Sequence, residues 1–374
     1  MQKIIRIGLI LQLLIFGLTG FAQVNLSNYG SVDPSTQQGK NILLKDYQPE
    51  SIYIIPKTEI KHARFEVVDM HSHAYGITDQ EIKNWIKTMD EMHIKKTIIL
   101  TMATRAKFDS LYYKYSKYPD RFDVWCGFDY TGYDKPGFGP DAVKELERCH
   151  RIGAKGVGEL GDKGDGLFYS SPTKAFGMHI DDPRMKPLLA KCAELNMPIS
   201  IHVADPYWMY LPIDNKNDGM MNAAEWHINM DKKGKIGLQA LVNTLENAAR
   251  ENPKTTFIAC HLANCCYDLT IVGKLLNKYP NLYADISARY GETATIPRYM
   301  KLFYQKYQDK LVYGTDMGMD ADMYKTTFRI LETKDEHFYH PDYDYHWSYS
   351  GFDLDNRTLK KIYYKNAKKI ISKK

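Results

Sequence analysis

Short apolar runs alternate along the chain with longer stretches in which apolar residues recur every three or four positions. The short runs are rich in β-branched residues, which is typical of strands. The longer stretches have the amphipathic period of helices, and several end at a stop signal such as Gly153. Eight strand candidates result, each followed by a helical pattern: FEVVDMHSH, KKTIILT, FDVWCGFD, AKGVGEL, PISIHV, TTFIACH, NLYADIS and KLVYGTD.

The spacing of these units predicts the fold class. Strands that alternate with helices indicate a parallel sheet, and eight such units over about 250 residues match a closed (β/α)8 barrel. An open doubly wound sheet is the alternative, but its first strand more often leads into a glycine-rich phosphate turn, where this chain has HSHAYG. We therefore predict an α/β TIM barrel over residues 62–374, with an extended N-terminal lead-in over residues 23–61. Long loops at 161–181, 205–235 and 336–355 would lie on its C-terminal face.

The N-terminal segment reads as a signal peptide. Lys3 and Arg6 precede the apolar run IGLILQLLIFGLTGFA, which ends on small residues before Gln23. This pattern predicts a cleavable signal over residues 1–22. A retained anchor helix is the alternative, but the run is shorter than the ~20 residues of a spanning helix. We expect a periplasmic or secreted protein that has no membrane attachment after the signal is removed.

The charge and cysteine composition limits the classes of binding partner that we expect. The full chain has 374 residues. Without the predicted signal it carries 48 Lys and Arg against 45 Asp and Glu. This near balance gives no reason to expect nucleic acid or a membrane surface as a partner. The six cysteines have no paired spacing and are expected to be small buried hydrophobes. A small-molecule substrate is the expected partner, and a homo-oligomer remains open.

Histidines and carboxylates end most of the predicted strands. In a barrel these ends converge on one mouth, and side chains at i and i+2 of a strand share a face. A single strand-end His or Asp more often only forms hydrogen bonds. Together, however, four imidazoles and two carboxylates form the ligand set of a divalent transition metal, zinc first. The predicted ligands, for one or two ions, are His71 and His73 on the first strand, Glu159 on the fourth, His202 on the fifth, His261 on the sixth and Asp316 on the eighth.

These motifs resemble the amidohydrolase superfamily. The superfamily has its metal ligands at the positions where this chain has HSH, the strand-four carboxylate, IH, CH and YGTD. Within the superfamily, the chain resembles the amidohydrolase-related (amidohydrolase 2) group most. GVGELG is similar to the strand-four glutamate of TatD-like proteins, and NAKKI resembles the C-terminal helix of the group. The resemblance covers about Phe65 to Ile371 and implies a metal-dependent enzyme on a TIM barrel.

The resemblance also implies roles. His71, His73 and Asp316 match the ligands of the more buried metal, and His202 and His261 match those of a second metal in binuclear members. In mononuclear members the strand-five histidine joins the first three, and the strand-six histidine orients or protonates the substrate. In both cases Asp316 resembles the residue that takes a proton from the metal-bound water.

Strand four decides between these two arrangements. Binuclear members bridge their metals with a carboxylated lysine or a glutamate at the end of this strand. Lys155 and Glu159 are four residues apart and would share a face. Glu159 is nearer the C-terminal end and resembles the glutamate version. The alternative is a strand-end carboxylate that binds loop amides, and Lys155 is not expected to be a ligand.

Four further residues are candidates with open alternatives. Asp69 would hydrogen-bond a ligating imidazole or serve a structural role. Arg289 would hold a carboxylate or phosphate with its fork, or pair with a loop acid. Tyr207 and Trp208 would stack on a ring of the substrate or pack within their loop.

The predicted function is that of an exported metal-dependent hydrolase, in which metal-activated water attacks a small ester, lactone, amide or phosphoester. The alternative within the same fold is a mononuclear non-oxidative decarboxylase or hydratase of a carboxylated ring, with His261 as acid or base. A second alternative is a non-catalytic ligand-binding barrel. The loops that set specificity do not identify the substrate.

Overall fold

The computed structural model describes residues 41–43, 46–170, 173–222, 232–340 and 346–372. The predicted signal peptide and about half of the predicted lead-in lie outside these ranges, and both stay predictions. The chain divides after Tyr47 into two units. Every strand and helix named below belongs to the second unit, Gln48–Lys374.

Ten strands occur in the described part of the chain, and eight of them correspond to the eight predicted ones. The two additional strands, β5 and β6, form a hairpin after the fourth predicted strand. The strands are β1 (Val67–Ser72), β2 (Ile94–Leu100), β3 (Phe122–Trp125), β4 (Val157–Asp162), β5 (Gly166–Phe168), β6 (Ala175–Phe176), β7 (Ile199–Val203), β8 (Phe257–Ala259), β9 (Leu282–Asp285) and β10 (Leu311–Val312).

The eight predicted strands are parallel and lie side by side in two ladders. One ladder has the order β1-β2-β3, and the other runs β10-β9-β8-β7-β4 before it continues into the antiparallel hairpin β5-β6. A parallel bridge between Cys126 and Val157 joins β3 to β4. On the other side, the amide of Met70 donates to the carbonyl of Tyr313 over 2.9 Å and joins β1 to the chain after β10. This is the α/β TIM-barrel architecture predicted from the sequence, with the hairpin as an unpredicted extension.

The helices follow the strands as the amphipathic patterns predict. The first has a capping box, in which Thr78 and Glu81 bond each other's backbone amides, and it buries Ile82, Trp85 and Met89 against the barrel. No helix within the described ranges is long and apolar enough to cross a membrane. The helices are α1 (Asp79–Met92), α2 (Arg105–Tyr115), α3 (Phe138–Ile152), α4 (Lys186–Glu194), α5 (Leu238–Glu251), α6 (Leu269–Lys278), α7 (Tyr290–Thr293), α8 (Pro297–Tyr307), α9 (Ala321–Glu332), α10 (Asn356–Lys360) and, after a π-helical turn (Lys361–Lys365), α11 (Asn366–Ile371).

Apolar side chains fill the lower part of the barrel. Val68, Ile98, Trp125 and Ile258 belong to one buried cluster fed by six of the parallel strands, and Ile370 of α11 packs against it. Burial of each such side chain contributes about 1.5–3 kcal/mol. Because this layer is closed by packing, the polar residues at the strand ends face only the C-terminal mouth.

Two strands end two or more residues before the ligand that was predicted at their last position. β8 stops at Ala259 and β10 at Val312, so His261 and Asp316 lie in turns beyond the strands rather than at their last positions. Both residues have left-handed backbones, with φ of 57° for each. A strand cannot continue through that conformation, so neither residue can belong to the ladder.

Candidate metal centre

The glutamate of β4 lies among all four predicted histidines. Its Oε1 atom is 3.3 Å from Nδ1 of His202, 3.3 Å from Nε2 of His261 and 3.7 Å from Nε2 of His71. Its Oε2 atom is 3.7 Å from Nε2 of His73. Glu159 itself is buried. The structure therefore brings together five of the six predicted ligands around one carboxylate.

Asp316 completes the set. Its Oδ1 atom lies 3.0 Å from Nε2 of His73 and 3.6 Å from Nε2 of His71, and its Oδ2 atom lies 3.6 Å from Nε2 of His261. The side chains of Asp316 and His73 are 21% and 18% exposed, whereas those of His71 and His261 are almost fully buried. The cluster is thus most open to solvent at Asp316 and His73.

The donor atoms fall into overlapping groups of three in which all atoms lie within 4.8 Å of one another. Two groups share Glu159: one adds His71 and His73, and the other adds His202 and His261. A third joins His71, His261 and Asp316. Two ligand sets that share one carboxylate are an arrangement suited to two neighbouring cations.

Orphaned polar atoms show that these residues fit a cation. Nε2 of His71 and Oε1 of Glu159 are buried and form no hydrogen bond with any residue that the structure describes. A buried polar atom without a partner costs about 1–3 kcal/mol. A divalent metal would satisfy both atoms, and imidazole with carboxylate is a donor set that zinc and manganese accept.

The electrostatics of the cluster agree with this fit. Burial alone would raise the pKa of Glu159, but the imidazoles of His71, His202 and His261 hold it well below its ordinary value. Burial would lower the pKa of His71, whereas the carboxylates of Asp316 and Asp285 raise it well above its ordinary value. The carboxylates thus stabilise positive charge in the site. A metal ion would supply this charge in place of protons on the imidazoles.

Each histidine is oriented by a hydrogen bond made by the ring nitrogen that points away from the cluster. Such bonds fix the ring and select the nitrogen that is left for a metal. The pairs are His71 Nδ1 with Asp285 Oδ2 at 2.9 Å, His73 Nδ1 with the Leu100 carbonyl at 2.8 Å, His202 Nε2 with the Ala204 carbonyl at 2.8 Å and His261 Nδ1 with the Ser287 carbonyl at 3.0 Å.

Asp285 is a site residue that the sequence analysis missed. It is buried at the end of β9, and besides His71 it accepts hydrogen bonds from the His261 amide and the Ser287 hydroxyl. The sequence contains a signal for it. In NLYADIS the apolar run ends at Asp285, just as the strands that carry the predicted ligands end at an imidazole or a carboxylate.

Asp69 has a structural role instead of the imidazole contact considered for it. Its carboxylate accepts from the backbone amides of His71 and Thr315, at 3.1 Å each, and from the Thr315 hydroxyl at 2.7 Å. Burial raises the pKa of Asp69 to about 7. Asp69 therefore ties β1 to the turn that carries Asp316.

A left-handed turn after β8 aims His261 into the site. Four successive residues, His261 to Asn264, have φ between 53° and 57°. This conformation costs about 1–2 kcal/mol per residue outside glycine. The side chain of Asn264 repays part of it, since its amide donates to the Val203 carbonyl at 3.0 Å.

Arg289 is held by the same turn. Its Nη2 and Nε atoms donate to Oδ1 of Asn264 at 2.6 and 3.1 Å, and its Nη1 atom donates to the Ala288 carbonyl at 2.8 Å. Glu292 lies 3.8 Å away. The guanidinium thus forms most of its hydrogen bonds within the protein. Binding of a substrate carboxylate or phosphate by Arg289 stays a prediction.

The two aromatic candidates differ. Trp208 is buried, leaves no room for a side chain at Gly219 and donates from Nε1 to Glu292 at 3.2 Å. These contacts match the loop-packing alternative, and stacking on substrate stays a prediction for Trp208. Tyr207 is exposed and stacks on Tyr267 with ring centroids 4.1 Å apart. Lys155 is exposed on the barrel, as expected for a residue outside the site.

A TIM barrel that gathers histidines and carboxylates at one mouth defines a class of metal-dependent enzymes. The family model described as amidohydrolase (Amidohydro_2) matches residues 96–372, and the chain belongs to this family. The first two ligands, His71 and His73, precede the matched range and are assigned by geometry. No curated protein matches the chain.

Solved structures share the fold at low sequence identity. A 2,6-dihydroxybenzoate decarboxylase from Rhizobium is 16% identical with a TM-score of 0.50, over 82% of this chain and 98% of that one. A 5-carboxyvanillate decarboxylase from Novosphingobium aromaticivorans, with bound manganese and a nitrobenzoic acid, is 14% identical with a TM-score of 0.50, over 84% and 100%. An uncharacterized TIM-barrel protein from Bordetella bronchiseptica is 13% identical with a TM-score of 0.50, over 82% and 99%.

Proposed function

We propose that the protein is a metal-dependent hydrolase whose centre holds two divalent cations bridged by Glu159. One observation carries the proposal: the buried carboxylate of Glu159 lies within 3.7 Å of a ring nitrogen of every histidine in the site. His71, His73 and Asp316 would hold one ion, and His202 and His261 would hold the other.

The chemistry divides between the metal and the chain. A divalent cation lowers the pKa of water towards 7 and polarises a carbonyl or phosphoryl oxygen. Burial alone would raise the pKa of Asp316, but His71 and His73 hold it below its ordinary value, so Asp316 is a carboxylate at neutral pH. As the more exposed acid of the cluster, Asp316 would accept on Oδ2 the proton that the attacking water loses, and would pass it to the leaving group.

The remaining features of the proposal rest on the sequence. We place the protein in the periplasm or outside the cell because residues 1–22 have the pattern of a signal peptide. The substrate class is a small ester, lactone, amide or phosphoester. Zinc is the first choice of metal from the ligand types, and manganese, present in one of the solved relatives, is the second.

A second candidate is non-oxidative decarboxylation of a carboxylated ring. It is favoured by the two solved relatives with this activity, and the comparisons support it more directly than they support hydrolysis. In that case a single metal would lie on His71, His73, His202 and Asp316. Nε2 of His261 would then be free to move a proton to or from the ring.

One assay separates the candidates. Purified protein is stripped of metal, reloaded with zinc or manganese, and given p-nitrophenyl acetate, p-nitrophenyl phosphate, a γ-lactone and 2,6-dihydroxybenzoate. The proposal predicts metal-dependent hydrolysis that is lost in Asp316→Asn. Metal-dependent release of carbon dioxide from the benzoate, without hydrolysis of the other three probes, would transfer the assignment to decarboxylation.

A further inference from the structure

The hairpin that was not predicted carries a tyrosine back over the metal centre. β5 pairs antiparallel with β4, so that Phe168 lies opposite Gly161 and the next residue, Tyr169, runs back along β4 towards Glu159. Asp162 holds this hairpin in place: its Oδ1 atom accepts from the amides of Gly164 and Gly166, and its Oδ2 atom accepts from His179 at 2.6 Å. The C-terminal end of β4 therefore holds the hairpin that carries Tyr169.

The backbone of this hairpin has unusual dihedral angles shortly before Tyr169 and at Tyr169 itself. Gly164 and Gly166 have φ of 109° and 105°, which suits glycine. Tyr169 has φ of 64°, which is unfavourable for an aromatic residue. Strain of this kind concentrates at functional sites, where the surrounding structure enforces it.

The ring of Tyr169 lies directly on the site. A Cβ atom added to Gly161 would stand 2.5 Å from the ring, so only glycine leaves room for it two residues after Glu159. The ring meets His202 edge-on with centroids 6.5 Å apart. Its hydroxyl forms no hydrogen bond within the part of the chain that the structure describes.

The hydroxyl also lies within electrostatic reach of the centre. Burial, and then the carboxylates of Glu159 and Asp316, raise the pKa of Tyr169. The group is therefore a hydrogen-bond donor close to the charges of the site. A hydroxyl on a ring that contacts the predicted ligand His202 is placed to donate to an oxygen atom of a bound ligand.

We propose that the Tyr169 hydroxyl donates a hydrogen bond to the substrate oxygen on which negative charge develops during hydrolysis. This inference rests on the proposed function and deepens it: the substrate is one that presents an acyl or phosphoryl oxygen on the His202 side of the centre. Donors aimed at developing charge contribute most when they are fixed beforehand, as the strained hairpin fixes this one.

The test measures binding of an oxyanion instead of turnover. The protein is loaded with zinc, freed of excess metal and titrated with inorganic phosphate in a calorimeter. Wild type, Tyr169→Phe and the exposed control Tyr113→Phe are compared, and the zinc content of each is measured by elemental analysis. We expect Tyr169→Phe to bind phosphate at least about tenfold more weakly at unchanged zinc content, and the control to match wild type.

A second variant tests the position of the Tyr169 ring instead of its hydroxyl. Gly161→Ala keeps the hydroxyl but forces the ring away, so it should also weaken phosphate binding. Equal phosphate affinity in Tyr169→Phe and wild type at equal zinc content, or no phosphate binding by zinc-loaded wild type, would overturn the inference and leave the metal site standing. Wild type that holds no zinc or manganese would instead contradict the proposed function, and the inference with it.

Discussion

The Nδ1 atom of His71 lies 2.9 Å from the Oδ2 atom of Asp285, and both residues are fully buried. Burial alone would raise the pKa of Asp285, but His71 holds it below its ordinary value. A carboxylate in this position fixes the imidazole so that its Nε2 atom faces Glu159 and Asp316. The orientation of the innermost predicted ligand therefore depends on a residue at the C-terminal end of β9, a strand that is separated from β1 by β10.

The first prediction concerns this pair. Asp285→Asn should weaken metal affinity about 10–100-fold, because loss of such an outer partner disturbs the orientation and basicity of the ligand. Competition with a chromophoric chelator measures the change. Asp69→Asn is the matched control: Asn keeps the acceptor for the His71 and Thr315 amides, so metal affinity should stay near that of wild type. The opposite ranking of the two variants would contradict the assigned roles.

The second prediction concerns Asp316. Asp316→Asn should lower kcat by about 10²–10⁴-fold through loss of the proton acceptor, with the folded structure retained. Turnover of whichever probe is active gives kcat, and circular dichroism reports the fold. Asp322→Asn, an exposed carboxylate on α9, is the control and should be indistinguishable from wild type. An Asp316→Asn enzyme at full activity would remove this residue from the mechanism.

The strands and most ligands could be predicted because their signals are local. Apolar β-branched runs reveal the strands, and polar residues at the ends of those runs reveal His71, His202 and Glu159. The turn from His261 to Asn264 could not be predicted in this way, since nothing about Leu262 or Ala263 favours a left-handed backbone. Tertiary contacts alone impose it.

The hairpin and Asp285 were missed for different reasons. GDKGDGLFY has the glycines of a tight turn, but only two or three residues pair on each side, too few for a strand pattern. Asp285 had the same signal as Asp316, yet its partner His71 lies 214 residues away and pairing at that range leaves no local trace. Trp208 shows a third limit, because a loop aromatic can stack on substrate or pack within its loop, and the sequence alone does not separate the two.

The third prediction concerns metal removal. Chelation should lower the unfolding temperature by about 5–10 °C, because a ligand that binds only the folded state stabilises it by RT ln(1 + [L]/Kd). Differential scanning calorimetry with and without added zinc measures the shift. His71→Ala removes a ligand of one of the two proposed ions, so its zinc-dependent shift should be clearly smaller than that of wild type. A zinc-dependent shift as large as that of wild type in this variant would place the metal elsewhere.

The fourth prediction concerns the hairpin and pH. The hydrogen bond to Asp162 raises the pKa of His179 above its unfolded value of 6.5. This contribution to stability is therefore fully present below about pH 6.5 and is lost as the pH rises through the raised value. The free energy of unfolding of wild type should exceed that of His179→Gln by about 1 kcal/mol at about pH 6, and by less at about pH 8.5. Urea denaturation at the two pH values measures the difference, and a gap that widens with pH would contradict the charged pair.

The central claim is that Glu159 bridges two metal ions, and metal stoichiometry tests it most directly. Elemental analysis of the protein purified without a histidine tag should give about two equivalents for wild type and about one for Glu159→Ala. Glu91→Ala, an exposed control on α1, should retain about two. One equivalent in wild type, unchanged by Glu159→Ala, would contradict the bridge and leave His261 free for the acid–base role that decarboxylation requires.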